Sequence, residues 1–532
     1  MAPVREADRR EARPARWLLP AGLGGVSVGL VMVLEQVPIA GWALLMDFGL
    51  AGFALGAALL ALADRARGRS WPRAPLAAAG ASAAFAVAHL LLAPPAPAAV
   101  VIVVDCLGSD RFTPALMPRT HAVTDSAWRF ADARAQSSWT RSAVPSLLTG
   151  AYPVQHGIYR LQPEPDRLAD GVETLAQVFD RAGWATAAFI DQAQLDPAFG
   201  LSAGYHRYNF RDGAAPALQA KFWRWHRFFR HVPRLAYLHY LDIHKPYLPD
   251  ASYLPAELPP TSLSLDADTD WAGLMRAINS GDRPLTDGDW RYLEMLHEAE
   301  IRQLDDALGS LLERLLADGT LDNAWLVITS DHGEAFGEHD FFTHGGLPYE
   351  ELLRIPLVIR PPGGLAAPAV IDAPIQHIDI APTLLASLSL PPLSSASGRD
   401  FTAEMRGEAD TSALASAPSF AEFFAHDAHT LGVREGSWKY LREGSRERLF
   451  DLSGDPGEHR DLAGERPEQL THMRNLAAHF LATGRAGGSL SDVDWATAAA
   501  RAQPWPEITA PGLAAQPEAE SMEALRALGY IE

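Results

Sequence analysis

The chain has 532 residues, with 45 Lys+Arg against 65 Asp+Glu and a formal net charge of −20. Its length and ordinary apolar content exclude a disordered protein and a stapled mini-protein, and its acidity excludes a nucleic-acid binder, which needs a basic stripe. A single cysteine, Cys106, excludes any intramolecular disulfide.

Residues 1–16 are a basic tail carrying Arg5, Arg9, Arg10, Arg13 and Arg16. Three apolar segments follow, Trp17–Leu34, Trp42–Ala63 and Pro75–Ala93, each about as long as a bilayer core requires. Arg65, Arg67, Arg69 and Arg73 lie between the second and third, whereas the loop Glu35–Gly41 has no Lys or Arg. This asymmetry predicts a three-helix transmembrane anchor over 17–93 with a cytoplasmic N-terminus. Everything after about Pro97 is then expected on the outer side of a multi-pass membrane protein. The first 97 residues hold nine arginines and six acidic residues, so +3 sits on the anchor and −23 on the remainder.

A Pro/Ala linker over 94–99 leads into Val100–Val104, a β-branched run that reads as a strand buried on both faces. Further strand-like runs are Ala185–Ile190, Leu235–Leu241, Trp325–Thr329 and Ile355–Ile359. Helical periodicity over Val172–Ala182 and Tyr292–Ala317 separates them, with Gly319 placed as a stop. Strands alternating with helices predict an α/β domain over 100–395 built on a large, mostly parallel sheet flanked by helices. Past the Pro/Ser-rich Leu388–Gly398 the pattern changes. Phe420–Phe424, Thr430–Arg434, Trp438–Leu441 and Arg448–Leu452 predict a small antiparallel sheet, followed by a helix near Pro467–Thr483. That makes 396–484 an α+β subdomain and leaves 485–532 as a loosely ordered tail.

Ligands gather at the C-terminal ends of strands in such domains. Two runs end in acids there, at Asp105 and at Asp331-His332. Two carboxylates and an imidazole converging from strand ends are a candidate divalent-metal site. Asp242, His244, His339 and His344 are candidates for a second one. Thr140 and Ser142 flank Arg141 ahead of an apolar helical stretch. Such a hydroxyl is either a helix cap or a nucleophile made acidic by a metal.

These segments, taken together, resemble a known family. VIVVDCLGSDRF, SSWTRSAVPSLLTGAYPVQHG, YLHYLDIHKPYLP, LVITSDHGEAFGEH, THGGLPYEELLRIPLVIRPPG and RLFDLSGDPGEHRDLA are similar, in order, to the sulfatase family of the alkaline-phosphatase superfamily. The similarity is strongest to its membrane-anchored bacterial members, implying a bacterial inner membrane with a periplasmic catalytic domain. The resemblance implies Asp105, Asp331 and His332 as metal ligands with Thr140 completing the set. It places Thr140 as the nucleophile, His244 and His344 on the sulfate or phosphate and the leaving oxygen, and Arg141 as a nearby donor.

The sequence departs from the family's Cys-x-Pro-x-Arg motif, whose Cys or Ser becomes formylglycine. Here the same frame reads Thr140, Ser142 and Val144, and threonine cannot give an aldehyde, so no formylglycine is expected. A sulfated threonine has no elimination route, whereas a phosphothreonine turns over by attack at phosphorus. The expectation is one divalent ion, zinc or manganese before calcium, and hydrolysis of sulfate or phosphate esters of glycans, lipids or small molecules. The alternatives are a phosphoethanolamine- or glycerophosphate-type headgroup transferase, or a degenerate glycan-binding homologue without catalysis.

Overall fold

The computed structural model describes residues 95–159, 165–409, 411, 414–425, 428–483, 513–514, 517 and 519–527. Its main sheet contains, in chain order, β1 (Ala98–Val104), β2 (Trp128–Phe130), β3 (Ala185–Ile190), β4 (Arg207–Asn209), β5 (Arg234–Tyr240), β6 (Ala324–Ser330), β7 (Leu357–Arg360) and β8 (Ala369–Ile371). The spatial order is β8-β2-β7-β6-β1-β5-β3-β4. β1 pairs in parallel with β5 and β6. β7 runs antiparallel to both of its neighbours, so the sheet is mixed but mostly parallel.

All seven residues of β1 are buried. Because successive side chains alternate across a strand, Val101 and Val103 enter one core layer and Val100, Ile102 and Val104 the other. A strand with no polar face must be covered on both sides, and helices do this. α1 (Thr140–Thr149), α2 (Leu175–Arg181), α3 (Ala215–Phe228), α4 (Asp287–Ala317) and α5 (His377–Ser387) form the two outer layers. Val144, Leu147, Leu175, Phe179, Leu384 and Leu385 put α1, α2 and α5 on the Val101 face. Leu218, Phe222, Leu304, Leu308 and Leu311 put α3 and α4 on the other. Truncating such a residue to Ala typically costs about 2–5 kcal/mol.

The expected strand over Ile355–Ile359 is interrupted. Arg354–Ile355 pairs with Ala133–Arg134, and only Leu357–Arg360 joins the main sheet. Pro356, between them, has no N–H to offer a ladder. α2 begins at Leu175 rather than Val172 because Thr174 caps it, its Oγ1 accepting from Gln177 N while its own N–H donates to Gln177 Oε1.

The C-terminal subdomain is an antiparallel meander of β9 (Ser419–Ala425), β10 (Ala428–Glu435), β11 (Trp438–Glu443) and β12 (Arg446–Asp451). Gly436 and Gly444, at φ +59° and +56°, make the tight turns that join the last three. α6 (Pro467–Thr483) packs Met473, Leu476, Ala477 and Phe480 on this sheet. Charged groups tie the subdomain to the α/β domain. Buried Glu350 accepts from Arg134 at 2.8 Å and from Lys439 of β11 at 2.7 Å.

Two expectations are corrected. The tail is not loose throughout, for α7 (Ala519–Ala527) seats Leu525 in a cluster with Trp139, Phe199 and Phe423. No helix among the described residues is long and apolar enough to cross a membrane. That overturns the three-helix transmembrane anchor as part of the architecture and, with it, the multi-pass inner-membrane location. The segments on which both rested, Trp17–Leu34, Trp42–Ala63 and Pro75–Ala93, lie outside the described residues.

Candidate active site

Strand register creates the site. Val104, the last residue of β1, sits opposite Tyr240 of β5 and Ser330 of β6. Asp105 and Asp331 are therefore side by side just past the strand ends. His239 pairs with Val103, so it lies on the sheet face from which Asp105 projects. α1 starts against this edge with Thr140 as its first residue.

The side chains converge tightly, and all are buried. Thr140 Oγ1 lies 3.3 Å from Asp105 Oδ2 and 3.3 Å from His332 Nε2. Asp105 Oδ2 also faces His239 Nε2 at 3.3 Å and accepts from Gln192 Nε2 at 2.6 Å. Asp331 Oδ1 accepts from the His332 and Cys106 backbone N–H groups at 2.9 and 3.3 Å. His332 Nδ1 lies 2.9 Å from the Gly333 carbonyl, which only accepts, so Nδ1 carries a proton and Nε2 is the ring nitrogen turned toward Thr140.

A second group of histidines borders this centre. His344 is 4.5 Å from His332 and 4.9 Å from His244, centroid to centroid. His344 Nδ1 lies 3.1 Å from Glu334 Oε2 and 3.3 Å from Cys106 Sγ. His244 Nδ1 donates to the Lys245 carbonyl at 2.6 Å. Lys245 Nζ donates to Thr343 Oγ1 at 3.3 Å and supplies a buried ammonium beside these histidines.

Electrostatics are set by burial and crowding. Burial alone would raise Asp105, but its hydrogen bond to His239 and the proximity of the His244 and His332 imidazoles hold it well below the usual carboxylate range. Burial and the adjacent Asp105 charge push Asp331 up. Burial brings His344 down to about 4 and His244 to about 3, with Lys245 adding to both shifts. Burial and the surrounding carboxylates raise the Cys106 thiol.

The residues fit a divalent ion. Asp105, His239 and Asp331 bring ligand atoms within 4.8 Å of one another, as do Asp105, Cys106 and His332. Asp331 Oδ2 is buried and accepts no hydrogen bond among the described residues. Two buried carboxylates at adjacent strand ends, one with an orphaned oxygen, call for a cation between them.

Of the residues singled out in the sequence, Asp105, Thr140, Asp331, His332, His244 and His344 converge here. Arg141 turns away. Its guanidinium bonds the Asp166 carbonyl and lies over the Phe199 ring at 3.9 Å. Ser142 also points elsewhere, donating to the Ile158 carbonyl at 2.9 Å. Asp242 Oδ1 accepts from Ala215 N at 2.8 Å, where it caps α3. Gln192, His239, Lys245, Glu334 and Cys106 were not singled out. His239 carried a legible signal, a histidine two residues before Leu241 at the end of a strand-like run.

A family model described as Sulfatase matches residues 97–390, more than half of the chain. The chain belongs to the sulfatase family. A second model, N-sulphoglucosamine sulphohydrolase C-terminal, matches residues 337–482 of this sulfatase-family protein. The choline-sulfatase of Rhizobium meliloti is 28% identical over 263 residues, which is 47% of this chain and 49% of that protein. The N-acetylglucosamine-6-O-sulfatase of Bacteroides thetaiotaomicron is 28% identical over 186 residues, 33% of each chain. These alignments thus span half or less of the relatives' own lengths. The fold is shared with the phosphonate monoester hydrolase of Silicibacter pomeroyi, at 20% identity and TM-score 0.61, covering 73% of this chain and 95% of that one.

Proposed function

We propose that this sulfatase-family protein is a metal-dependent ester hydrolase that uses Thr140 as its nucleophile and acts on phosphate esters in preference to sulfate esters. One observation carries the reading. The Thr140 hydroxyl lies within 3.3 Å of both the Asp105 carboxylate and His332 Nε2, at the N-terminus of α1. The aligned peptide dipoles there favour an alkoxide.

Asp105, Asp331, His332 and Thr140 would hold the ion, which supplies Lewis-acid polarisation of the Thr140 oxygen and the ester oxygens. The Thr140 hydroxyl gives its proton to Asp105 Oδ2, to which it already donates, as its oxygen bonds to phosphorus, and the bond to the leaving oxygen breaks in line. Lys245 and His244 face the charge that builds on the transferring group. The Glu334 carboxylate fixes His344 Nδ1–H, leaving Nε2 to carry a proton to the leaving oxygen. An arriving anion raises the depressed His344 toward the protonated form this role requires. Water then attacks phosphorus, giving a proton to His344 Nε2, and the bond to the Thr140 oxygen breaks as that oxygen takes back the proton from Asp105. The phosphate preference rests on this second displacement, because threonine lacks the elimination exit of a formylglycine. The names of the relatives point to sulfate esters of glycans and small alcohols, so both ester types belong in the assay.

Thr140→Ala protein and wild type would be incubated with ³²P- and ³⁵S-labelled aryl esters, quenched in acid and digested. Label on the peptide containing Thr140 in the wild type alone supports the reading. Full turnover by Thr140→Ala sinks it.

A further inference from the structure

A second cluster of ligating side chains lies outside the chemistry above. His339, Glu351 and Glu458 each bring one ligand atom within 4.8 Å of the others. His339 belongs to the loop that also carries Glu334 and His344. Glu351 lies in the short helix Glu350–Leu353. Glu458 follows β12 in the C-terminal subdomain.

Their polar atoms are poorly satisfied by the protein alone. The Glu458 side chain is fully buried. Its Oε2 accepts from the Glu350 N–H at 2.6 Å, but its Oε1 accepts no hydrogen bond among the described residues. The Lys439 ammonium is 3.5 Å from that oxygen but lies closer, at 2.7 Å, to Glu350. His339 Nε2 is likewise buried and has no hydrogen-bond partner among the described residues, lying 3.8 Å from Glu351 Oε1. The His339 ring is held flat on Tyr349 at 3.6 Å and 8°, which fixes the direction of its nitrogen. Burial pushes the Glu351 carboxyl up to about 8 and that of Glu458 to about 7, each worsened by neighbouring carboxylates.

We propose that His339, Glu351 and Glu458 form a second divalent-metal site, separate from the catalytic centre and suited to zinc. Imidazole nitrogen and carboxylate oxygen are both donors that zinc takes, and a water would fill the fourth position. Glu351 and His339 remain 17% and 14% exposed, which leaves an approach for ion and water. The ion would join the loop bearing Glu334 and His344 to the C-terminal subdomain. Its role is to hold the two parts together, and the site does not depend on whether Thr140 is a nucleophile.

The test uses the full chain with Asp331→Asn, which weakens the catalytic centre. The protein is stripped with chelator, given zinc chloride, desalted and assayed for bound zinc. One retained equivalent is expected, falling to about none when Glu351→Gln or His339→Gln is added. Glu351→Gln keeps size and shape, and near-ultraviolet circular dichroism checks that each variant is folded. Zinc should also raise the unfolding temperature of Asp331→Asn protein but not of the folded double variants. Retention of the full equivalent by folded double variants overturns the proposal. So does absence of zinc from Asp331→Asn protein, which would mean that a proton shared by Glu351 and Glu458 relieves their repulsion instead.

Discussion

Gln192 Nε2 lies 2.6 Å from Asp105 Oδ2, the oxygen that also faces Thr140 and His239. An amide can donate here without adding charge. It orients the carboxylate while leaving its charge available to a cation. Gln192 also sits 3.5 Å from Thr140 Oγ1, so it spans the ligand and the proposed nucleophile.

Gln192→Leu should therefore misalign Asp105 without unfolding the chain. Partners of this kind are worth about 10–100-fold in metal affinity or activity. The expected result is a loss of that size, with Gln192→Asn intermediate because its shorter side chain retains the donor. Metal titration followed by kcat and KM on an aryl phosphate would check it. An unchanged metal affinity and kcat would remove Gln192 from the site.

Thr140→Ser should keep measurable turnover, and Thr140→Ala should lose roughly 10³-fold or more, the scale on which covalent nucleophiles act. Ser142 cannot substitute, since its hydroxyl is bonded to the Ile158 carbonyl on another side of α1. Steady-state kinetics on the two Thr140 variants, with Ser142→Ala as a control, decides between the hydroxyls.

Cys106 should resist alkylation in the native protein. Its thiol is fully buried and raised by burial and by three surrounding carboxylates, so little thiolate forms near neutral pH. Iodoacetamide should label it only after denaturation, and mass spectrometry of the peptide would show this. Rapid native labelling would mean that the site opens far more than its packing indicates.

What the sequence disclosed, and what it hid, follows from range of interaction. Asp105, Asp331 and His332 were legible because each ends an apolar run and because Thr140 stands in a recognisable frame. The helix near Pro467–Thr483 was legible, its apolar positions being local information. Gln192 was not, because its bond to Asp105 depends on β3 and β1 being two strands apart across β5. His239 depended on register, since a shift of one residue would turn it to the other face. The reversal of β7 was hidden because an apolar run carries no direction. Arg141 was misplaced because sequence adjacency to Thr140 says little about a helix, where consecutive side chains diverge by about 100°. α7 escaped notice because Ala- and Glu-rich sequence shows no strong stripe, and its docking rests on Leu525 and on Ser521 bonding Asp196.

Acid should destabilise the fold through buried neutral histidines, and His156 is a clear case. Its Nδ1 accepts from the Ile158 N–H at 3.1 Å, so that nitrogen must stay unprotonated, and Nε2–H faces the Ser142 carbonyl at 3.2 Å. Burial lowers it to about 3, while the unfolded chain titrates near the ordinary value of about 6.5. Between these pH values the unfolded state binds the extra proton. Stability is therefore complete above about 6.5 and falls with acid by at most about 1.4 kcal/mol per pH unit for this group. Urea unfolding at pH 7, 6 and 5 should show the fall, with a shallower slope in His156→Gln protein.

Metal removal should separate function from stability at Asp331. Asp105 and Asp331 are both fully buried, and Asp331 is raised by burial and by its neighbour's charge. Without a cation the pair is a repulsive element. Chelation should abolish turnover, with zinc or manganese restoring it better than calcium. Asp331→Asn keeps an acceptor for the His332 N–H but deletes one negative charge. In chelator this variant should be at least as stable as the wild type, although it is inactive under all conditions. Thermal unfolding of both proteins with and without chelator, beside their activity, checks the two halves independently. A metal-free Asp331→Asn protein markedly less stable than metal-free wild type would show that the Asp105–Asp331 pair is held by hydrogen bonds alone and needs no ion.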